Sequence, residues 1–190
     1  MNIGIDFDGV IVDTAGLKTK LAKEAFGIEL SLENASRANI LKLGIDAKAY
    51  DKTFRRIIML NESHEIPLVE SAKGTIDRIY EENPDDKVYV ITSRSDFEVP
   101  YQRNIMKNKQ IKYHRIINTS DSPKNDVCLE NKIRAYMDDD LHKLEEINNG
   151  YTELFLLTRP YNANIQIQNS NIERVKNWIE FYEKIKCLRL

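Results

Sequence analysis

Asp6-Phe7-Asp8-Gly9-Val10-Ile11, entered from the apolar run Ile3-Gly4-Ile5, decides how the rest of the chain is read. The apolar run reads as a buried strand, and the glycine marks where it gives way to a turn. Side chains at i and i+2 of an extended strand share a face, so ideal geometry sets Asp6 beside Asp8. Two carboxylates that close resist joint ionisation, and Asp is poorly suited to strand interiors. A divalent cation, a shared proton or a change of backbone direction at Gly9 would each resolve the conflict, and each marks a working site.

Outward from this stretch, strand-like runs recur at residues 2–7, Lys87–Thr92, 113–118, 134–137 and Glu153–Leu157. Helical periodicity fills the later intervals, at 69–82, Val99–Asn108, Asn125–Glu130 and 140–148. Strands alternating with helices predict an α/β fold, a Rossmann-like, mainly parallel sheet with helices on both faces. A last helix is predicted over 171–186, its core stripe made by Ile172, Val175, Trp178, Ile179, Tyr182 and Ile185.

One interval breaks the alternation. Residues 14–68 show only amphipathic helical pattern, with Leu17, Leu21, Ala25 and Phe26 on one stripe and Tyr50, Phe54, Ile57, Ile58 and Leu60 on another. Inserted after the first strand, such a segment overhangs the carboxyl ends of the strands, where ligands of open α/β sheets bind. The expected organisation is therefore a core of residues 1–13 and 69–190 with a small helical cap over 14–68.

Size and composition narrow the function. A chain of 190 residues is one domain of ordinary size, and 42% hydrophobic with 31% charged residues fits a water-soluble globule. A formal charge of −2 with mixed signs gives no basic field, which argues against a nucleic-acid polymer as partner. No apolar run is long enough for a membrane span, and the N-terminus enters strand pattern without an export leader. Cys128 and Cys187 lack metal-ligand spacing, so the expected setting is reduced and cytoplasmic.

The strand ends carry the chemistry. The first yields Asp6 and Asp8, the second Thr92-Ser93-Arg94, the third a polar loop ending in Lys124, and the fourth Asp138-Asp139-Asp140. Parallel strands bring these to one edge of the sheet. Carboxylates, a hydroxyl and an ammonium converging there suit a phosphate dianion held by Mg²⁺, a cation that prefers oxygen ligands. Asp140 or Asp139 is also placed to cap a helix starting near Leu141.

The order and content of these pieces resemble the haloacid dehalogenase (HAD) superfamily of phosphotransferases. Asp6-Phe7-Asp8-Gly9-Val10 matches its first motif, extended by Asp13-Thr14, and Ile91-Thr92-Ser93 matches the second. Lys124 is the candidate for the third, preferred over Lys132, which directly precedes the fourth strand; Asp138-Asp139 matches the fourth. Within the superfamily the chain is most similar to the 5′(3′)-deoxyribonucleotidase group and its bacterial relatives. That similarity rests on the compact cap, Thr92-Ser93-Arg94, the Lys124–Asp139 block and Thr158-Arg159-Pro160-Tyr161-Asn162.

The resemblance implies a Mg²⁺-dependent phosphomonoesterase working through an aspartyl-phosphate on a small phosphorylated metabolite, a nucleoside 5′-monophosphate in the nearest group. Asp6 would be the nucleophile and Asp8 the acid and base, with Asp8 protonated near neutral pH and Asp6 ionised. Asp6, the Asp8 carbonyl, Asp138 and Asp139 would hold Mg²⁺. Thr92 and Lys124 would bind the phosphoryl oxygens, with Ser93 and Arg94 as further substrate contacts. The alternatives are a sugar-phosphate phosphatase or phosphomutase of the same superfamily, and a non-catalytic binding protein on this fold. Tyr50, Phe54 and Phe26 of the cap are candidates to stack on a base or to pack the cap.

Overall fold

In the computed structural model, residues 1–54, 66–120 and 122–189 are described. Strands β1 (Asn2–Ile5), β2 (Lys87–Thr92), β3 (Arg115–Asn118), β4 (Ile133–Asp138), β5 (Glu153–Leu157) and β6 (Ile172–Val175) form one sheet in the order β3-β2-β1-β4-β5-β6. All neighbours are parallel. The sequence proceeds one way from β1 through β2 to β3 and the other way from β4 to β6. The switch point therefore lies between β1 and β4, and a crevice opens there at the strands' carboxyl ends.

The strand sequences alternate between two apolar layers, as a sheet covered on both faces requires. Val88, Val90, Ala135, Met137, Phe155 and Leu157 join one buried cluster; Tyr89, Ile91, Tyr136, Leu154 and Leu156 join the other. Helices α4 (Ala72–Glu82), α5 (Val99–Asn108) and α8 (Trp178–Cys187) supply the first layer. Helices α6 (Asn125–Glu130) and α7 (Leu141–Glu145) supply the second. The α/β class read from the sequence is the one observed.

Two details of that reading change. Residues Ile172 and Val175 lie in β6, and the last helix starts at Trp178, capped by the Asn177 side chain, which accepts from the Glu180 N–H. Ile179 is 55% exposed and takes no part in the core. The three-residue spacing of Ile172 and Val175 fits one helical face, but hydrogen bonding to β5 along Leu154–Leu157 outweighs it. The segment at 69–71 is a turn rather than the start of α4, with Ser71 at φ 64°.

Helices α1 (Thr14–Phe26), α2 (Arg37–Lys42) and α3 (Ala47–Phe54) follow the first strand and share an apolar cluster of their own. Ala15, Ala22, Ile40, Tyr50 and Phe54 are buried in it, whereas Ala25 is exposed. Ile57, Ile58 and Leu60 lie outside the described residues. Asp13 caps α1 by accepting from the Ala15 N–H, and Gly27 ends the helix at φ 67°. The chain leaves and re-enters the α/β layer side by side: the Asp13 N–H donates to the Pro67 carbonyl at 2.8 Å, and the Val69 N–H to that of Ile11 at 2.9 Å. A paired stem of this kind ties the helical segment to the first motif.

Candidate active site

The carboxyl ends of β1 and β4 flank the switch point and deliver Asp6 and Asp138 to it. β1 stops at Ile5, so Asp6 begins a turn in which the Ile11 and Val12 N–H groups donate to the Phe7 carbonyl at 3.0 and 3.1 Å. Gly9, at φ 77°, closes that turn. The two aspartates part company here. Asp6 faces the sheet crevice, while Asp8 turns away to meet Arg94, so they do not stand side by side as strand residues would.

Lys124 ties the centre together. Its side chain is 1% exposed, and its Nζ donates to Asp6 Oδ1 at 2.7 Å, Asp138 Oδ2 at 2.8 Å and the Tyr136 hydroxyl at 2.5 Å. All three ammonium donors are thus committed within the protein. Lys132, by contrast, is exposed at the opposite end of β4. Tyr136 in turn donates to Asp138 Oδ2 at 2.8 Å. It reaches the centre across β1 because Gly4 has no side chain: a Cβ there would sit 2.6 Å from the Tyr136 ring.

Asp139 stands opposite, held by the segment after β5. The Tyr161 hydroxyl donates to Asp139 Oδ2, and the Asn162 amide donates to the Asp139 and Leu157 carbonyls at 2.8 Å each. Asp140 accepts from the His142 N–H and caps α7. Carboxylate oxygens of Asp6, Asp138 and Asp139 all lie within 4.8 Å of one another. The electrostatics follow. Burial, with Asp138 and Asp8 adding to it against the opposing Lys124, pushes the Asp6 carboxyl up to about 7. Burial, Asp138 and Asp6 push Asp139 well above the usual range, opposed by the Tyr161 hydrogen bond. One ammonium does not neutralise three carboxyls, two of them buried.

Oxygen-only donors clustered this closely, with negative charge in excess, fit Mg²⁺ better than a thiolate- or imidazole-seeking metal. The Asp8 side chain is not among those donors, being taken up by Arg94. Gly9 adds to the fit, because a Cβ at that position would stand 2.3 Å from Asp139 Oδ2 and 2.6 Å from the Tyr161 hydroxyl. Gly9→Ala is expected to displace both tips, weakening Mg²⁺ binding in calorimetric titration. The left-handed backbone alone should also cost about 1–2 kcal/mol in urea denaturation.

Asp8 differs from its expected state. Arg94 Nε and Nη2 donate to its two oxygens at 2.8 and 2.9 Å, a bidentate pair. Burial would raise the Asp8 carboxyl, but the Arg94 guanidinium outweighs it and holds the group below the usual carboxylate range. The ionisation expected from the motif is therefore reversed in this structure: Asp6 is the raised group and Asp8 the lowered one. Arg94 itself is braced by Glu98, whose Oε1 accepts from Nη1 at 2.7 Å while Oε2 accepts from the Ser95 N–H and hydroxyl.

Thr92 ends β2 almost fully buried. Its Oγ1 accepts from Gln102 Nε2 at 3.1 Å and from the Arg94 N–H at 3.3 Å. Ser93 lines the cavity above it. Sequence reading missed Glu98 and Gln102, both buried, the first at the N-cap of α5 and the second on its first turn. The available signal was a pair of polar residues four apart on the inward face of a helix directly after Thr92-Ser93-Arg94. Tyr136 carried a similar signal, two residues before Asp138 on the same strand face.

Above the centre lies a cavity of about 780 Å³, walled below by Asp6, Asp8, Thr92 and Lys124 and above by α1–α3 through Lys18, Arg37, Lys42, Tyr50 and Phe54. Phe26 stacks on Phe54 but is not part of the wall. Arg159 pairs with Asp13 at 2.7 Å, at the base of α1.

The fold is shared with solved structures of HAD-superfamily hydrolases, on which the chain superposes along nearly its whole length. A haloacid dehalogenase-like protein of Agrobacterium tumefaciens superposes with a TM-score of 0.65 at 15% identity, over 100% of this chain and 99% of that one. A HAD-superfamily hydrolase of Ehrlichia chaffeensis gives 0.58 at 14% identity, over 100% and 97%. D,D-heptose 1,7-bisphosphate phosphatase of B. bronchiseptica, solved with magnesium and phosphate, gives 0.58 at 10% identity, over 98% of each chain. At these identities the likeness is one of fold. No family model matches the chain, and no curated protein sequence is significantly similar to it. Among the described residues, no helix is long and apolar enough to cross a membrane.

Proposed function

We propose that the protein is a Mg²⁺-dependent phosphomonoesterase that forms an aspartyl-phosphate on Asp6. The observation that carries this reading is the convergence of Asp6, Asp138 and Asp139 within 4.8 Å at the sheet switch point, under a cavity large enough for a small organic phosphate. Mg²⁺ bound among these carboxylates would offset the charge of the phosphoryl oxygens and free Asp6 to ionise. Asp6 then attacks phosphorus, the ester P–O bond breaks, and Asp8 passes its proton to the departing oxygen. In the second half Asp8 takes a proton from water, the water oxygen attacks phosphorus, and Asp6 is regenerated with release of inorganic phosphate.

The chain's own hydrogen bonds support these roles. The carboxylate form that Arg94 favours at Asp8 is the form required to deprotonate water. A substrate dianion arriving beside Asp8 opposes the guanidinium and favours the protonated form the first half needs. Both lone pairs of Thr92 Oγ1 receive N–H donors, which leaves its own proton to donate to a phosphoryl oxygen. Lys124, with every donor engaged, serves chiefly to hold Asp6 and Asp138 in place. Gln102→Leu is accordingly expected to lower kcat about tenfold with little change in KM, the worth of one oriented hydrogen bond. Steady-state phosphate release checks it.

Within this class we favour a nucleoside 5′-monophosphate as substrate, on the strength of Tyr50 and Phe54 in the cavity wall and the resemblance in cap and motif endings. A Mg²⁺-supplemented screen of nucleotides and sugar phosphates tests both levels. Phosphate release that disappears in EDTA and in Asp6→Asn supports the phosphomonoesterase. Sugar phosphates outranking deoxypyrimidine monophosphates would overturn the nucleotide assignment alone.

A further inference from the structure

Apart from Lys143, which stands 3.9 Å from Glu146, the cations of the cavity fall into two groups. Below, Lys124 is bound to Asp6 and Asp138, and Arg94 to Asp8 and Glu98, so their charge is spent on the protein's own carboxylates. Above, Lys18 of α1 and Lys42 of α2 line the same cavity, and neither forms an ion pair among the described residues. Arg37, also of α2, stands loosely at 3.8 Å from Asp51, with its guanidinium 5.4 Å from the centre of the Tyr50 ring. Among the described residues the upper wall therefore presents three cations against one carboxylate, and one of them lies over an aromatic ring.

A single phosphate monoester cannot answer this wall. Its one charged group must sit at Asp6, where Thr92 and the carboxylate-bound metal would take up its charge. The remainder of a simple nucleoside or sugar is neutral and would leave Lys42 without a counter-charge and Arg37 with only its 3.8 Å approach to Asp51. Like charges lining a cleft with low-dielectric walls concentrate counter-ions, and a guanidinium can make bidentate contact with a phosphate or carboxylate.

We propose that the substrate carries a second anionic group, a phosphate or a carboxylate, at the end remote from the scissile ester, and that Arg37 and Lys42 bind it. This rests on the phosphomonoesterase reading and narrows it, favouring a nucleoside bisphosphate over the corresponding monophosphate. Lys18, whose charge acts on both Asp8 and Asp139, lies nearer the reacting end and serves the scissile phosphate side of the cavity.

Matched pairs test it: a nucleoside 5′-monophosphate against its 3′,5′-bisphosphate, and glucose 6-phosphate against glucose 1,6-bisphosphate and 6-phosphogluconate. The doubly anionic partner is expected to show kcat/KM higher by about tenfold or more, the worth of a charge-assisted contact. In the R37Q/K42Q protein that preference should vanish, the loss falling on the KM of the doubly anionic partner. A preference confined to the nucleoside pair, the sugar pair or the carboxylate identifies the source of the second charge. Equal rates within all pairs, or a preference that survives R37Q/K42Q, overturn the proposal. Calorimetric titration of Asp6→Asn with the same pairs reads the upper wall without turnover. Absence of hydrolysis therefore counts against the phosphomonoesterase reading, whereas equal affinities count against this one.

Discussion

Asp6→Asn is expected to lower Mg²⁺-dependent phosphate release by roughly three orders of magnitude or more, the scale seen when a sole nucleophile is removed. An amide oxygen in the same position cannot form the phosphoryl ester, and the neighbouring Asp8, turned toward Arg94, is not placed to replace it. The same substitution should leave the fold intact. Burial holds the Asp6 carboxyl up at about 7, so its ionised form is a liability in the metal-free protein, and Asp138 still pairs with Lys124 when it is gone. In EDTA at pH 8, where wild-type Asp6 must ionise against that burial, the variant is expected to melt no lower than wild type. Lost activity combined with an undiminished melting temperature separates a chemical role from a structural one. Retained activity would remove Asp6 from the mechanism.

Lys124→Met is expected to act in the opposite way, on stability first. The ammonium is the one buried cation linking Asp6 and Asp138, and burial, which disfavours its charge, is outweighed by these two carboxylates, so its pKa is raised. Methionine fills a similar volume but removes the ammonium from both carboxylates and from the Tyr136 hydroxyl, leaving Asp138 only the donors of Tyr136 and the Asp140 N–H. Breaking a buried pair by removing one partner costs about 3–5 kcal/mol. Urea denaturation in EDTA should show a loss of that order, with Mg²⁺ restoring part of it by neutralising the same carboxylates. A loss under about 1 kcal/mol, the range of exposed ion pairs, would contradict the placement of Lys124 at the heart of the site.

The contrast between these two residues bears on what the chain made legible. The centre could be read because its members sit at strand ends. Asp6, Thr92 and Asp138 each follow a short apolar run of the kind that a strand buried on both faces shows, and parallel pairing then brings those ends together. The cap could be read as an interruption of that rhythm. What could not be read was pairing across the sequence. Arg94 reaches Asp8 over 86 residues, and nothing local to the first motif signals that a guanidinium will hold its second carboxylate ionised. Glu98 and Gln102 looked like ordinary polar positions of α5, since only the fold turns them inward onto Arg94 and Thr92. β6 failed for a different reason. Four residues, Ile172-Glu173-Arg174-Val175, are too short for period two to outvote the three-residue spacing that continues into a true helix. In α1 the buried residue is Ala22 rather than Ala25, a shift of most of a turn that one alanine for another leaves unmarked.

The two aspartates of the first motif end in distinct electrostatic settings, one crowded by carboxyls at the switch point and one clamped by arginine. The proposed mechanism requires that the first of them becomes phosphorylated. Acid quench during turnover with Mg²⁺ and a nucleotide substrate, followed by peptide mass spectrometry, addresses that requirement directly. A peptide spanning the N-terminal strand is expected to gain one phosphoryl group, localised to Asp6 and absent in Asp6→Asn. Phosphate release with no phosphorylated peptide, or with the group on any other residue, would contradict the mechanism.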